Sequence, residues 1–584
     1  MSYSGGNESG PSPMLIEAAC TAIAIGAAFA LPRIGSTWFS AFEKSFARLA
    51  RRKRLSVALI GASAFLLRLA ILPFCPVPLP FVQDDFSFLL AGNTFAMGRL
   101  TNPTPALWPH FESIQITMQP TYMSMYFPAQ GLVLAAGKVL FGNPWLGLLC
   151  VTALMCAALC WMLQAWLPAP WALLGGVIAV LRIGLFSYWI NTYSGGGSVA
   201  ALGGALLLGG LPRFVRTSCM RDSLLMAIGL CVLALSRPYE GLLLCLPVGF
   251  VLIRWIFSGS NRPTARLIFR NSALPLALIV AVVAWLGYYD YRAFGNPATL
   301  PYSVDRTTYA AAPYWIWQSP RPEPQYRHKA LWDFYVGVEL SYAKRLHTVS
   351  GFLSETLLAK PLRTLYFFAG FALLFPLIMV RRVLIDRRIR FLVVCVAVVV
   401  SGVLVETWLI PHCFAAITPA FYAVGLQMMR HLRVWKPGGQ PVGTTLVRMA
   451  VGVCLVMAAL RTEAETLHLE LARWPGAAWA STWYGPGQLG QPRARVEAML
   501  DRLPGQQLVI VRYSLQHSPL DEWVYNAPDI DHSKIIWARE MDAASNKVLL
   551  DYYKDCTVWL LQPDAQPLSL SVYHLPAGVD APGQ

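Results

Sequence analysis

The segment "PWLGLLCVTALMCAALCWMLQAW", residues 144–166, contains no charged side chain. At about 1.5 Å per helical residue it is long enough for a hydrocarbon core of roughly 30 Å, so it predicts a membrane-spanning helix. The whole chain shares this character, because 56% of its 584 residues are hydrophobic and 13% are charged. Soluble domains carry about 25% charged residues. The composition therefore predicts an α-helical integral membrane protein.

Similar apolar windows recur along the chain and predict about twelve transmembrane helices. They lie near residues 14–32, 56–78, 144–166, 171–190, 197–212, 222–236, 239–257, 272–289, 362–380, 391–409, 413–429 and 444–460. The window at 222–236 is short for a perpendicular span, and the window at 197–212 is rich in glycine.

Basic residues are concentrated in every second connection between these windows. The basic loops are 42–54, 213–221, 254–270, 381–390 and 430–436. Because Lys and Arg in short loops stay cytoplasmic, the outer face receives residues 79–143, 190–196, 290–361, 406–412 and the chain after about 461. We interpret the excess of 47 Lys and Arg over 31 Asp and Glu as a topology signal, not as a nucleic-acid site.

The chain divides into three predicted regions. Residues 1–55 form an extra N-terminal helix and a basic loop; the basic residues follow the apolar run, unlike those of a cleaved signal peptide. Residues 56–460 form the transmembrane domain, with external loops 79–143 and 290–361. In residues 461–584 the segments "QQLVIVRY", "SKIIWARE" and "DCTVWLLQ" predict strands beside two helices, hence a small α/β domain. Most of the twelve cysteines lie in apolar segments, which indicates neither a disulfide framework nor a zinc site.

Two adjacent carboxylates, Asp84 and Asp85, open the first external loop in "PFVQDDFSFLLAGNTF", residues 80–95. One structural interpretation is a helix start, where an Asp caps the first turn and meets the positive end of the helix dipole. Capping explains only one of the two acids. The apolar segments at both ends of this loop are too short to span a membrane. They predict amphipathic helices at the interface between membrane and water.

The order of motifs resembles a known family. The acidic pair after an early helix and the later "LFGNPW" (140–145) are similar to the membrane glycosyltransferases of the GT-C fold. Protein O-mannosyltransferases and bacterial lipid A aminoarabinose transferases are the relatives they resemble. Further matches are "SRPYEG" (236–241), "FGNPATLPYSVDRTTYAAAPYWIW" (294–317) and "IPHCFAAITPAFYAVGLQ" (410–427). The chain has Asp-Asp where the protein mannosyltransferases have Asp-Glu, and it has no inserted carbohydrate-binding domain.

The resemblance implies an inverting transferase in a bacterial inner membrane, with its active site facing the periplasm. It would move a sugar from a polyprenyl-phosphate donor to a lipid, glycan or protein acceptor. Asp84 or Asp85 would accept the proton of the attacking hydroxyl. The other carboxylate would position that base or bind a divalent cation such as Mg²⁺ or Mn²⁺.

Other residues are candidates for contact with the donor phosphate or the substrate. Arg237 is the first choice because a departing phosphate needs a counter-charge, although an interfacial arginine also snorkels to headgroups. His412, just before a helix, has the alternative of an ordinary interfacial polar residue. The remaining candidates are Tyr239, Glu240, His110, Glu112, Tyr302 and Arg306.

A transporter or flippase of lipid-linked sugars is the rival interpretation. Transporters often have repeated halves and charged residues in the middle of helices. In this chain the halves are dissimilar and the polar clusters lie at one predicted interface, which favours an enzyme. A scaffold that binds partners through its outer domain leaves the acidic pair unexplained.

Overall fold

The computed structural model describes residues 13–257, 264–464, 466–467, 469 and 490–574. The fold is mostly helical, with 66% helix and a small sheet region, as the sequence predicts. Contacts divide the chain into two compact units. The first comprises Met1–Pro78, Trp145–Ala284 and Thr348–Gly487, and the second comprises Leu79–Pro144, Trp285–His347 and Gln488–Gln584.

The α-helices are numbered in chain order. They are α1 Pro13–Ala30, α2 Ser36–Arg51, α3 Lys53–Ala70, α4 Gln83–Ala96, α5 Trp108–Phe111, α6 Pro128–Phe141, α7 Pro144–Trp166, α8 Ala169–Ala179, α9 Tyr188–Asn191, α10 Gly197–Thr217, α11 Met220–Ser236, α12 Pro238–Phe257, α13 Ala265–Phe294, α14 Pro301–Tyr309, α15 Lys329–Trp332, α16 Ser341–Leu346, α17 Val349–Gly351, α18 Lys360–Ala369, α19 Val380–Ile385, α20 Arg390–Val403, α21 Thr418–Arg433, α22 Val442–Thr462, α23 Gln491–Leu500 and α24 Ala543–Tyr552. Wider π-helical turns occupy Val180–Gly184, Asp333–Leu340 and Phe352–Ala359, and 3₁₀ turns occupy Phe375–Met379, Pro411–Ile417 and Pro437–Gly439.

Six helices in the described part of the chain are long and apolar enough to cross a membrane. They are Pro13–Ala30, Pro144–Trp166, Gly197–Thr217, Pro238–Phe257, Arg266–Phe294 and Val442–Thr462. Helical structure occurs in each of the predicted windows, but several helices are shorter than a span, so the count of about twelve is not confirmed. In the window at 362–380, for example, α18 stops before Gly370, whose φ is +55°.

A buried ion pair fastens α1 inside the first unit. The guanidinium of Arg182 lies 2.9 Å from a carboxylate oxygen of Glu17, and both side chains are almost fully buried. Tyr366 donates its hydroxyl hydrogen bond to the other oxygen of Glu17 at 3.0 Å. Gly370 is required beside this pair, because a Cβ there would lie within 2.5 Å of both Glu17 and Arg182. The N-terminal helix is therefore held by specific polar contacts as well as by apolar packing.

Glycines allow α10 and α11 to approach closely. A Cβ on Gly229 would lie 2.6 Å from the carbonyl oxygen of Gly203, and a Cβ on Gly203 would lie 3.0 Å from that of Gly229. Small residues at such crossings replace the hydrophobic driving force that membrane helices lack. The glycine content of the window at 197–212 therefore serves helix packing.

The second unit contains two sheets. Strands β1 Asn102–Pro103, β2 Ile116–Thr117 and β3 Thr121–Ser124 form an antiparallel sheet in the order β1-β3-β2. Strands β4 Gln507–Val511, β5 Ile535–Arg539, β6 Thr557–Gln562 and β7 Ser569–Val572 form the other, in the order β5-β4-β6-β7. In it β4 pairs in parallel with β5 and β6, whereas β7 is antiparallel to β6. The strands and helices predicted near the C-terminus are confirmed.

The helices α4 and α6 pack directly on each other in the second unit. A Cβ on Gly92 would lie 2.8 Å from the Cβ of Leu134, and one on Gly131 would lie 2.7 Å from the Cβ of Ala91. Both helices predicted at the ends of the first external loop are therefore present. Their close contact makes a rigid support for the acidic pair at the start of α4.

Candidate active site

Asp85 contacts the backbone just before α4. It lies in the first turn of α4, is 1% exposed and accepts a hydrogen bond from the backbone N–H of Phe81 at 3.2 Å. Phe81 precedes the helix, so the carboxylate satisfies a donor just outside the first turn. Capping of the first turn by Asp85 stays a prediction.

Asp84 has a different environment. Its carboxylate is only partly buried and accepts a hydrogen bond from the hydroxyl of Tyr126 at 2.8 Å. The Tyr126 ring stacks on Phe88, with 4.2 Å between ring centroids. Tyr126, which lies just before α6, thus packs on Phe88 of α4 and binds Asp84 of the same helix.

Arg306 is bound to a carboxylate that the sequence analysis did not single out. Its guanidinium donates to both oxygens of Glu339, at 2.6 and 2.9 Å, and both side chains are buried. It also donates to the carbonyl oxygen of Ala312 at 3.2 Å. A role for Arg306 in donor binding stays a prediction, and the structure shows that its charge is already matched.

The surroundings of this pair are acidic. Asp84 acts electrostatically on Glu339, and Asp305 is fully buried beside Arg306. Burial raises the pKa of Asp305 to about 7, although Arg306 opposes the shift. Tyr302, the other candidate on α14, makes an edge-to-face contact with Tyr314 at 5.7 Å between ring centroids.

His110 and Glu112 lie inside the second unit. His110 is 4% exposed, and its Nδ1 lies 3.1 Å from the carbonyl oxygen of Arg539 on β5. Glu112 is 2% exposed and accepts a hydrogen bond from the Tyr309 hydroxyl at 3.0 Å. Burial raises the pKa of Glu112, and the hydrogen bond from Tyr309 offsets part of this effect. These contacts fasten the segment around α5, and substrate binding by either residue stays a prediction.

In the first unit, Arg237 stands between α11 and α12. Its guanidinium donates to the carbonyl oxygen of Gly195 at 2.9 Å and lies 3.4 Å from Glu240, with 21% of the side chain exposed. Charge-assisted contacts are usually about 2.7–2.9 Å long, so the contact with Glu240 is loose. Tyr239 donates its hydroxyl hydrogen bond to the carbonyl oxygen of Gly402 at 3.0 Å, a contact within the fold.

His412 is brought beside the same glycine. Its backbone N–H donates to the hydroxyl of Tyr188 at 3.0 Å, and its Nδ1 also lies 3.0 Å from that hydroxyl. Gly195 has a φ of +80°, and a Cβ there would lie 2.4 Å from Nδ1 of His412. The structure therefore joins Arg237, Glu240 and His412 around one loop.

The sequence analysis overlooked that loop, "SGGGS" at residues 194–198, as well as Glu339, Lys360 and Glu406. The three consecutive glycines were a signal for it, because such runs mark close backbone approach. The charged residues had no local signal. Asp84 and Asp85, for their part, belong to no described group of three metal-binding side chains with ligand atoms within 4.8 Å of one another. Binding of Mg²⁺ or Mn²⁺ by this pair stays a prediction.

No family model and no curated protein matches the chain. Several solved structures match the chain. ArnT from Cupriavidus metallidurans in the apo state aligns over 87% of this chain and 92% of its own, at 10% identity and a TM-score of 0.47. The same protein bound to undecaprenyl phosphate aligns over the same shares, at 11% identity and 0.46. Archaeal oligosaccharyltransferase AglB from Archaeoglobus fulgidus, in complex with an inhibitory peptide and a dolichol-phosphate, aligns over 90% of this chain and 70% of its own, at 10% and 0.43.

ArnT is a GT-C lipid A aminoarabinose transferase. It belongs to the class that the sequence motifs resemble. At about one identical residue in ten and TM-scores below 0.5, such likeness assigns neither an activity nor the residues that perform it.

Proposed function

We propose that this protein is a membrane glycosyltransferase of the GT-C type. It transfers a sugar from a polyprenyl-phosphate donor to a lipid, glycan or protein acceptor at the outer face of a bacterial inner membrane. The observation that carries the proposal is the division of the acidic pair. Asp85 satisfies a backbone donor, whereas Asp84 presents a partly exposed carboxylate held by Tyr126.

The proposed reaction needs a general base and a positive charge for the departing phosphate. The hydroxyl oxygen of the acceptor attacks the anomeric carbon of the donor sugar, and Asp84 accepts the hydroxyl proton. The bond between the anomeric carbon and the phosphate oxygen breaks, and the polyprenyl phosphate leaves. A single displacement of this kind inverts the configuration and needs no covalent sugar-enzyme intermediate. Arg237 supplies positive charge to the departing phosphate, because its guanidinium is partly exposed and only loosely paired.

A radiolabelled sugar donor in proteoliposomes tests this function against the rival one. Transfer of label to an acceptor, lost in Asp84→Asn, supports the transferase. Label that remains on the lipid and only changes leaflet supports a transporter or flippase and contradicts the proposal.

The proposed topology uses about twelve spans, with the shorter apolar helices completing those that the six long helices do not supply. Leu515, 82% exposed in the second unit, is predicted to face outward. The native Cys219 is exposed and lies in a loop predicted to be cytoplasmic. On intact cells an impermeant maleimide should label Leu515→Cys and leave Cys219 unlabelled until the membrane is opened. The reverse pattern would place Asp84 in the cytoplasm, where the donor would be a nucleotide sugar.

A further inference from the structure

Three side chains that are far apart in sequence meet inside the first unit. Glu240 is at the start of α12, Glu406 follows α20, and Cys413 lies in the 3₁₀ turn Pro411–Ile417. Their oxygen and sulfur atoms all lie within 4.8 Å of one another. Each residue is 5% exposed. The cluster, called here the Glu240 cluster, is therefore compact and withdrawn from solvent.

The neighbouring cations do not neutralise its carboxylates closely. Arg237 remains 3.4 Å from Glu240 and donates its better hydrogen bond to Gly195. The ammonium of Lys360 donates to the backbone carbonyl oxygens of Glu406 and Thr407, at 2.9 and 3.2 Å. Across the described residues, Oε1 of Glu406 accepts no hydrogen bond. A buried carboxylate oxygen in this state indicates a partner that is not a protein side chain.

We propose that Glu240, Glu406 and Cys413 bind one Zn²⁺ ion. Two buried carboxylates at this separation repel each other unless they share a proton or a cation. The sulfur atom favours zinc over magnesium or calcium, which prefer oxygen ligands alone. Zinc bonds oxygen at about 2.0–2.2 Å and sulfur at about 2.3 Å, so ligand atoms in a tetrahedral site lie roughly 3.5 Å apart. The ligand atoms, which lie within 4.8 Å of one another, would move closer together on binding the ion.

The ligand set leaves a fourth position for water or an anionic oxygen, as in catalytic zinc sites. The charges of Zn²⁺, one thiolate, two carboxylates, Arg237 and Lys360 would add up to a small net positive charge. Such a site suits an anion. This inference concerns metal binding alone and holds or fails independently of the proposed transfer reaction.

The test measures metal content and then a spectroscopic signature of the sulfur ligand. The full-length protein, purified without a histidine tag, is stripped with chelator and loaded with Zn²⁺ or with Co²⁺. We expect one tightly bound zinc per chain. Co²⁺ should give a near-ultraviolet thiolate-to-metal absorption, because the cysteine sulfur would be a direct ligand.

Cys413→Ser should remove the cobalt absorption and weaken zinc binding at least about tenfold, the lower end of the loss seen even for outer-shell changes. Glu406→Gln should also weaken zinc binding. Cys395→Ser is the matched control, since Cys395 is another buried thiol of the first unit, in α20. If the wild-type protein binds no zinc above the level of Cys413→Ser and gives no cobalt absorption, the carboxylates share a proton and the proposal is wrong.

Discussion

Charged side chains are paired closely in the Asp84 region of the second unit and loosely in the Arg237 region of the first unit. In the Asp84 region, the guanidinium of Arg306 donates hydrogen bonds to the two carboxylate oxygens of Glu339, at 2.6 and 2.9 Å. In the Arg237 region, the guanidinium is 3.4 Å from Glu240, and Lys360 bonds to carbonyl groups. Short ion pairs fix geometry, whereas loosely paired charges remain able to bind a ligand.

The contrast teaches that a buried charge is not by itself a sign of a substrate site. The sequence offered Arg237 as the first choice and Arg306 as a further candidate for a cation that binds a phosphate. Their partners separate them, since Arg306 is neutralised by Glu339 and Arg237 is not closely neutralised. Substitutions at these and neighbouring residues test whether the closely paired arginine supports folding and the loosely paired one supports donor binding.

The largest effect is expected at Asp84. Asp84→Asn should lower the transfer rate about a hundredfold or more, in line with general-base contributions of about 10² to 10⁴. Asp85→Asn should cost at most about a few-fold, because the amide oxygen still accepts the Phe81 N–H. Initial rates with a radiolabelled donor measure both. A larger loss for Asp85→Asn would exchange the two roles, and parental rates for both would leave the pair as helix caps.

Breaking the closely matched pair should mainly affect folding. Arg306→Met leaves Glu339 buried without its partner, which costs about 3–5 kcal/mol of stability. The thermal unfolding midpoint in detergent measures the loss. Lys329→Met is the control, because its contact with Asp333 is on an exposed side chain and is worth at most about 1 kcal/mol. An unchanged midpoint with weaker donor binding would return Arg306 to the phosphate-binding candidates.

Removing the loosely matched cation should mainly affect the donor. Arg237→Gln should raise the KM for the polyprenyl-phosphate donor roughly 10- to 100-fold, since a hydrogen bond to a charged group is worth about 1.5–3 kcal/mol. Stability should fall less than in Arg306→Met, because the contact with Glu240 is longer. Arg502→Gln serves as the control, because Arg502 is exposed and no role in donor binding is proposed for it. An unchanged KM would assign Arg237 to snorkelling toward headgroups.

The smallest effect concerns Asp305 and pH. Burial raises its pKa from an ordinary value of 3.8 to about 7, so the folded state holds a proton that the unfolded state releases. Stability should therefore fall as pH rises from about 4 to about 7 and level off above that, by on the order of 1–4 kcal/mol. Unfolding midpoints between pH 4.5 and 8 should slope less in Asp305→Asn. Equal slopes would show that Asp305 is ionised in the folded protein.

The sequence alone was enough to locate the six long apolar helices. Uninterrupted apolar stretches such as 144–166 have one stable solution in a membrane, where the backbone must satisfy its own hydrogen bonds. The alternation of apolar residues near the C-terminus likewise predicted β4, β5 and β6. These signals are local, so neighbouring residues suffice to find them. The acidic pair was visible for the same reason.

The tertiary structure alone decided how the charged residues are matched. Glu339 reaches Arg306, and Glu406 and Cys413 reach Glu240, only because distant helices pack together. It also brought the hydroxyl of Tyr126 to Asp84, a contact that the sequence of the acidic pair does not predict. The physical reason is that hydrogen bonds and ion pairs act over about 3–4 Å in space. Sequence spacing predicts such distances within one helix or strand and not between elements.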